Sequence, residues 1–340
     1  MIKKIEANKV SWGIIGVGDV CEVKSAPAMQ QIENSELLAV MRRSEDKVKD
    51  YAERHRVPKW YTNADVLIAD PALNAIYIAT PPDSHAEYVI KAAKAGKAVY
   101  VEKPMARSLD ECDQMIQACE QAAVPLYVAY YRRRLPNFEK IKSLISDGTI
   151  GDIRFVKLEL YKSVDPDILS AITSSMPVNW RIDPAVSGGG YFFDLASHQL
   201  DFLDYIFGPI ETVFGFADNQ AGFYKAADSI HGSWKFANGI HGSGSWCFTV
   251  DTVASKDIMH IVGSKGSIDI SFFGESVVNV ALSNGQHETY TFEMPTHIQK
   301  PLIETVVNDL LGVGECPSLG TSARRTNWVM HELTKEYYTV

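Results

Sequence analysis

The fold of this chain is indicated near its start by the stretch Val10-Ser11-Trp12-Gly13-Ile14-Ile15-Gly16-Val17-Gly18-Asp19-Val20-Cys21. Its first half reads as a buried strand, and its second half is a glycine turn that opens a helix running toward Ile32. Gly16 permits a tight bend, and Gly18 lets the backbone approach a pyrophosphate, whose charge the helix N-terminus attracts. Cys21 stands where the full fingerprint has its third glycine, so an ordinary strand-to-helix bend remains the alternative.

The end of the second predicted strand, Leu37 to Met41, indicates which dinucleotide would bind. A dinucleotide-binding domain usually places an acidic residue there to hold the adenosine ribose. This chain has Arg42, Arg43 and Ser44 instead. Two guanidinium groups and a hydroxyl can pair with a 2′-phosphate, which predicts NADP as the cofactor. Two acidic residues follow Ser44 directly, so NAD remains the alternative.

Strands and helices alternate up to about Tyr130, which is typical of a parallel sheet covered by helices on both faces. The predicted strands are Asn74 to Ala79, Lys97 to Val101 and Pro125 to Ala129, and the predicted helices are Asp83 to Ala95 and Ser108 to Ala123. Ser108 is the expected N-cap of its helix, and Glu111 is expected to complete a capping box.

Beyond a helix from Pro136 to about Ser146, most segments have the period of strands. These are Ile153 to Tyr161, Thr212 to Ala217, Ser229 to Phe236, Ile240 to Val250, Lys256 to Val262, Ser267 to Phe272, Val277 to Leu282 and Glu288 to Phe292. We therefore predict an α/β protein. Residues 1–131 form an N-terminal Rossmann dinucleotide-binding domain, and residues 132–296 form a C-terminal α+β substrate and oligomerisation domain with a large, open, mostly antiparallel sheet.

The segment that follows Gly188-Gly189-Gly190 contains the best candidate for chemistry. Asp194 and His198 are four residues apart in an apolar, helix-spaced stretch, so both would project from one face of a helix. A carboxylate beside an imidazole can tune and orient a general base near neutral pH. A helix start with two ordinary polar positions is the alternative.

Two further motifs follow predicted strands of the first domain, at the edge where open parallel sheets bind ligands. One is Thr80-Pro81-Pro82-Asp83-Ser84-His85, and the other is Glu102-Lys103-Pro104. The proline that follows Lys103 restricts the backbone before it, so the lysine is well placed to reach a cleft. A Lys-Pro pair also occurs in ordinary surface turns.

Composition excludes several classes of function. The formal net charge of −9 argues against nucleic acid or an anionic membrane as a partner. The five cysteines are spread along the chain without a C-x-x-C pair, which fits reduced thiols in the cytoplasm. No signal sequence or membrane-spanning run is visible, and the absence of a His-Glu-x-x-His motif or cysteine cluster predicts no metal site.

In combination, these motifs resemble the Gfo/Idh/MocA family of nicotinamide-dependent oxidoreductases, named for glucose–fructose oxidoreductase and inositol dehydrogenase. The resemblance covers the glycine turn, the Thr-Pro-Pro and Glu-Lys-Pro motifs, the Asp194 to His198 segment and the order of the two domains. It implies that the last helices, about residues 297–340, return to the first domain. It also implies that Lys103, Asp194 and His198 converge beside the nicotinamide.

The resemblance and the motifs together define the expected site. The cofactor-binding residues are Gly16, Gly18, Asp19, Val20, Arg42, Arg43, Ser44, Thr80, Pro81, His85, Glu102 and Lys103. The catalytic residues are His198 as acid/base, Asp194 as its orienting partner or a hydrogen-bond acceptor for a substrate hydroxyl, and Lys103 as the cation that stabilises an alkoxide. The resemblance further implies that the substrate pocket includes Arg132, Trp180 and Arg181.

The expected activity is NADP(H)-preferring hydride transfer to or from a secondary alcohol of a sugar, polyol or related cyclic substrate. A trans-dihydrodiol or other non-sugar carbonyl is the alternative substrate, and a non-catalytic ligand-binding regulator is the alternative of another class. The sequence selects neither the substrate nor the direction. Trp234, Trp246 and Phe248 alternate along predicted strands, and an apolar sheet face made of them would predict a homodimer or homotetramer.

Overall fold

The computed structural model describes Ile5, residues 8–166, Ile168, Ser170 and residues 179–338. The chain forms two compact units. The first comprises Met1–Arg134 and Pro295–Arg324, and the second comprises Leu135–Met294 and Arg325–Val340. The last helix therefore passes from the first unit to the second at Arg325. This differs from the expectation that all of residues 297–340 returns to the first domain.

The first unit contains a sheet of six parallel strands in the order β3-β2-β1-β4-β5-β6. The strands are β1 Val10–Ile15, β2 Ser35–Met41, β3 Lys59–Tyr61, β4 Ala75–Ile78, β5 Ala98–Val101 and β6 Leu126–Val128. This order reverses direction at β1 and is that of a doubly wound Rossmann domain. The predicted fold class of this unit is confirmed.

Helices cover both faces of this sheet. They are α1 Asp19–Val23, α2 Ala26–Gln31, α3 Glu45–Arg54, α4 Ala64–Ile68, α5 His85–Lys94 and α6 Leu109–Gln121, together with α10 Lys300–Leu310 from the C-terminal part of the chain. Alternate side chains of β1 enter different cores. Trp12 and Ile14 pack in the core that includes α10, and Ile15 packs in the core that includes α5 and α6.

Two local predictions in this unit need correction. The helix expected after the glycine turn is divided into α1 and α2, because Pro27 follows closely on Ser25 and disfavours continuous helical backbone there.

At α6, the hydroxyl of Ser108 accepts from the backbone N–H of Glu111 at 3.2 Å as predicted. The Glu111 carboxylate, however, accepts from the backbone N–H of Arg107 at 3.0 Å and pairs with its guanidinium, so the capping box is only half formed.

The second unit contains an eight-stranded sheet in the order β14-β13-β12-β11-β7-β10-β9-β8, antiparallel except for β7 with β10. The strands are β7 Ile153–Tyr161, β8 Ile210–Asp218, β9 Ser229–Phe236, β10 His241–Cys247, β11 Lys256–Gly263, β12 Gly266–Ile270, β13 Val277–Leu282 and β14 His287–Thr291. The helices are α7 Pro136–Ser146, α8 Pro184–Ser187, α9 Ser197–Phe207 and the greater part of α11 Gly320–Tyr338. The predicted open, mostly antiparallel sheet is confirmed.

The aromatic side chains that were expected on an outer sheet face lie in the core of this unit. Trp234, Trp246 and Phe248 are 4%, 0% and 2% exposed. Alternation alone cannot say which face of a strand is buried, and here these residues point toward the helices. The apolar side chains that remain exposed on β8 are Phe214 and Phe216, at 71% and 74%.

Candidate active site

The glycine turn of the first unit has the geometry that a pyrophosphate site requires. Gly16 has φ +90°, and a Cβ at this position would lie 2.6 Å from Cγ2 of Thr80, so only glycine fits there. Gly18 is extended and precedes α1, and a Cβ on it would meet nothing within 4 Å. Asp19 and Val20 form the first turn of α1. The open space beside Gly18 and the helix start therefore fit a dinucleotide phosphate.

Cys21 fills the place of the third glycine as a small core residue. It is fully buried, and its carbonyl oxygen accepts from the Tyr51 hydroxyl at 2.7 Å. Burial raises the pKa of the Cys21 thiol to about 12. The thiol is therefore neutral and unreactive at ordinary pH, and the departure from the glycine fingerprint leaves the helix packing intact.

The cations and the hydroxyl on which the NADP prediction rests lie at the end of β2. The Arg42 guanidinium is half-buried and donates to the Val17 carbonyl of the glycine turn at 3.2 Å. Arg43 and Ser44 are exposed. Ser44 precedes α3, but its hydroxyl makes no capping hydrogen bond to that helix. The hydroxyl is therefore available to a ligand.

His85 does not present its ring to a ligand surface. It is fully buried, with Nε2 2.8 Å from the Thr80 carbonyl and Nδ1 3.2 Å from the carbonyls of Pro104 and Met105. Burial lowers the pKa of His85 and favours the neutral ring. His85 thus joins the Thr80-Pro81 loop to the loop after Lys103, which corrects its expected role as a direct cofactor ligand.

Glu102 likewise turns away from a ligand. It is buried, and its Oε1 accepts from the Tyr77 hydroxyl at 2.6 Å and from Nε2 of Gln299 at 2.7 Å. Its Oε2 accepts from the backbone N–H of Lys103 at 3.2 Å. Lys103 itself is half-buried at the carboxyl end of β5. Glu102 is therefore bonded to groups inside the first unit, and one of these is the backbone N–H of Lys103.

In the second unit, the candidate pair follows a tightly packed glycine segment. Gly190 has φ +71°, and a Cβ there would lie 2.4 Å from Cβ of Ala226. Residues Phe192–Ala196 then form a π-helical turn before α9 begins at Ser197. The pattern predicted a regular helix, whereas the structure has the wider turn that is frequent at functional sites.

Asp194 on this turn lies next to Arg181, one of the predicted substrate residues. Oδ2 of Asp194 lies 3.2 Å from Nε of Arg181, and the Arg181 guanidinium stacks over Trp180 at 4.5 Å. Sequence reasoning named Arg181 but missed this ion pair, since 13 residues separate the partners. The pairing places a positive charge directly beside the carboxylate.

His198 and Asp201 lie in α9. His198 is 4% exposed, and its ring meets that of Phe273 edge to face at 6.2 Å. Asp201 is buried, and the Thr326 hydroxyl is 3.4 Å from its Oδ1. Asp201 therefore holds a buried, structural position in α9.

The arginines after β6 are largely internal to the first unit. Arg132 is buried and donates to the Tyr131 hydroxyl at 3.0 Å, and Arg133 donates to the Pro317 carbonyl. Among the residues that the structure describes, no three His, Cys, Asp or Glu side chains are grouped so as to hold a metal ion. Within the same residues, no helix is long and apolar enough to cross a membrane.

Two family models match this chain, one in each unit. Residues 10–130 match the model of an oxidoreductase family with an NAD-binding Rossmann fold, and residues 138–269 match the GFO/IDH/MocA C-terminal domain. The chain belongs to the Gfo/Idh/MocA family. Its membership confirms the expected oxidoreductase with a Rossmann cofactor domain and sets aside the non-catalytic alternative.

Three known proteins illustrate what this chain is similar to. Oxidoreductase P35 of Formosa agariphila is 40% identical over 325 residues, which cover 95% of this chain and 98% of that protein. Myo-inositol 2-dehydrogenase of Thermotoga maritima is 33% identical over 64% of this chain and 61% of its own length. A levoglucosan dehydrogenase in complex with NADH and levoglucosan has a TM-score of 0.85 at 20% identity, covering 97% of this chain and 98% of that one, and shares its fold.

Proposed function

We propose that this protein is an NADP(H)-preferring dehydrogenase that acts on a secondary alcohol, or the corresponding carbonyl, of a sugar, polyol or related cyclic substrate. The observation that carries the proposal is a lysine, Lys103, at a strand end of a Rossmann unit in a family of oxidoreductases. The names of the inositol and levoglucosan dehydrogenases support the substrate class. A bound nicotinamide would accept or supply the hydride.

The residues of the chain handle the proton and the charge that develop with hydride transfer. His198 removes the hydroxyl proton in oxidation and returns it in reduction. The Lys103 ammonium stabilises the developing alkoxide. Asp194, paired with Arg181, accepts a hydrogen bond from a substrate hydroxyl, and Trp180, which stacks on Arg181, forms an apolar wall of the pocket. Arg132, buried and bonded to the Tyr131 hydroxyl, is proposed only as a wall residue of the substrate pocket.

The preference for NADP rests on the end of β2. Arg42 donates a hydrogen bond to the glycine turn. Arg43 and Ser44 are exposed, and the Ser44 hydroxyl makes no capping hydrogen bond to α3. The 2′-phosphate of NADP would pair with these groups, whereas NAD has an uncharged hydroxyl at that position. Arg42 and Arg43 are therefore proposed to determine the cofactor.

A panel of substrates with both cofactors tests the proposed function. Purified protein is mixed with cyclic polyols, aldoses and an aromatic trans-dihydrodiol, with NADP or NAD, and reduction of the nicotinamide is followed by absorbance. Turnover of a polyol or aldose, faster with NADP, is expected. Turnover of the dihydrodiol alone would favour the alternative substrate class, and a preference for NAD would overturn the cofactor assignment.

We further propose a cytoplasmic homodimer or homotetramer. The five free thiols, one of them half-exposed, support a reducing compartment. The exposed Phe214 and Phe216 on β8, together with Phe155 on β7 at 43% exposure, support burial of this sheet face in a partner copy. Light scattering should give a multiple of 37.7 kDa, and the monomer mass alone at micromolar concentration would contradict the assembly.

A further inference from the structure

The carboxyl end of β5 rests on a buried polar cluster made of Tyr77, Tyr100, Glu102 and Gln299, here called the Glu102 cluster. The Tyr100 hydroxyl donates to Oε1 of Gln299 at 3.0 Å, and the Gln299 amide donates to Glu102 at 2.7 Å. The Tyr77 hydroxyl donates to the same carboxylate at 2.6 Å. The rings of Tyr77 and Tyr100 stack at 4.9 Å. Every polar group of the cluster therefore has a defined partner.

A buried carboxylate requires such donors, because an unpaired charge in an apolar core is costly. Glu102 receives three, from Tyr77, Gln299 and the backbone N–H of Lys103. Burial raises the pKa of Tyr77 and of Tyr100 well above the usual range, so both phenols remain donors at any ordinary pH. The hydrogen-bond pattern that holds the Lys103 backbone is thus fixed.

Gln299 reaches the cluster from the returning C-terminal segment. Its backbone N–H donates to the Lys24 carbonyl at 3.1 Å, at the end of α1, which follows the glycine turn. Two residues earlier, Nδ1 of His297 lies 2.6 Å from the Val23 carbonyl. One residue therefore contacts both the helix after the cofactor turn and the carboxylate behind Lys103.

We propose that Glu102 and Gln299 are positioning residues that act through the Lys103 backbone to set the placement of its ammonium group. The inference rests on the proposed role of Lys103. Without the Gln299 amide, Oε1 of Glu102 keeps one donor of two, and the carboxylate rotates away from the Lys103 N–H. Because a displacement of about 1 Å can lower a catalytic rate by about 10²-fold, the loss appears in kcat.

Three variants and one control test this inference on the full chain. Gln299→Met retains the length of the side chain without its amide, Glu102→Gln removes the charge, and the third variant combines both. Gln31→Ala is the matched control, since the Gln31 amide contacts the same returning segment at Nε2 of His297, 2.9 Å away. For each protein, kcat, the Kd for NADPH, the melting temperature and deuterium uptake at the Lys103 amide without cofactor are measured.

Each single variant should lower kcat by about ten- to a hundredfold and keep the Kd for NADPH within about twofold. Lys103 amide exchange should accelerate in the cofactor-free protein, and Gln31→Ala should match the wild type in all readouts. If Gln299 acts through Glu102, the kcat of the double variant should be no lower than that of the more impaired single variant. Multiplied losses would show that Gln299 acts independently of Glu102 and would overturn the inference.

The exchange measurement separates failure of this inference from failure of the proposed function. If the wild-type protein turns over no alcohol or carbonyl in the panel, the proposed function fails, but accelerated Lys103 exchange in Gln299→Met still supports positioning. If exchange at Lys103 is unchanged in that variant, the inference is contradicted whatever the activity. If exchange accelerates but kcat does not fall, the cluster holds the backbone without affecting catalysis, which also overturns it.

Discussion

The two units hold their parts of the proposed catalytic set by different means. In the first unit, the residue before Lys103 is bonded to buried tyrosine and glutamine side chains in a closed network. In the second, Asp194 lies on a π-helical turn and pairs with Arg181, whose side chain is 42% exposed. The contrast shows that the Lys103 backbone is supported by buried hydrogen bonds, whereas Asp194 is paired with a side chain that is partly exposed to solvent.

Removing a catalytic group from either unit should produce the largest effect. Lys103→Met and Asp194→Asn should each lower kcat by roughly 10²–10⁴-fold, because each removes a group that acts on the alcohol. The Kd for NADPH, measured by fluorescence titration, should remain near the wild-type value in Asp194→Asn. A parallel loss of cofactor affinity in Asp194→Asn would break the division of tasks between the units.

The next effect concerns the cofactor in the first unit. Replacing Arg42 and Arg43 together with alanine should raise KM for NADP far more than for NAD, since each lost charged hydrogen bond costs about 1.5–3 kcal/mol. The ratio of kcat/KM values for the two cofactors should shift by at least about tenfold. Lys94→Ala, which removes another exposed cation of this unit, is the control. Equal changes for NADP and NAD would exclude these arginines as the determinant.

A pair of glycine substitutions sharpens the description of the cofactor turn. Gly16→Ala should cost about 1–3 kcal/mol in the free energy of unfolding, from its positive φ and its overlap with Thr80. Gly18→Ala should change stability by less than about 0.5 kcal/mol, because its Cβ would enter open space. It should nonetheless weaken NADPH binding. Unchanged affinity in Gly18→Ala would show that the phosphates do not occupy that space.

The smallest effect is expected in the pH dependence of stability. Burial lowers the pKa of His85, so the folded protein keeps the ring neutral, while the unfolded chain takes up a proton near the ordinary pKa of about 6.5. The unfolded state then binds more protons, and stability falls as pH drops below about 6.5. In His85→Asn this decline of the melting temperature should be smaller. His287→Asn, at an exposed position of β14, should retain the full decline.

The two units also differ in how far the sequence predicted them. The alternation of strands with helices predicted the parallel sheet, and the glycine turn predicted β1. Both signals are local in the sequence. The orientation of Trp234 and Trp246 was wrong, since a period of two does not identify the buried face. The pairing of Asp194 with Arg181 and of Glu102 with Gln299 was missed, because tertiary structure alone brings such distant residues together.

The most direct test of the central claim, that the second unit supplies the acid/base, is the pH dependence of kcat/KM in His198→Asn. In the wild-type enzyme, kcat/KM for oxidation of the alcohol should fall at low pH, and this acidic limb of the profile reports a base that must be deprotonated. His198→Asn should fold, bind NADPH normally, lose roughly 10²–10⁴-fold in kcat and no longer show that limb. Near-full activity of His198→Asn across the pH range would contradict the claim and make Lys103 the leading candidate for the proton.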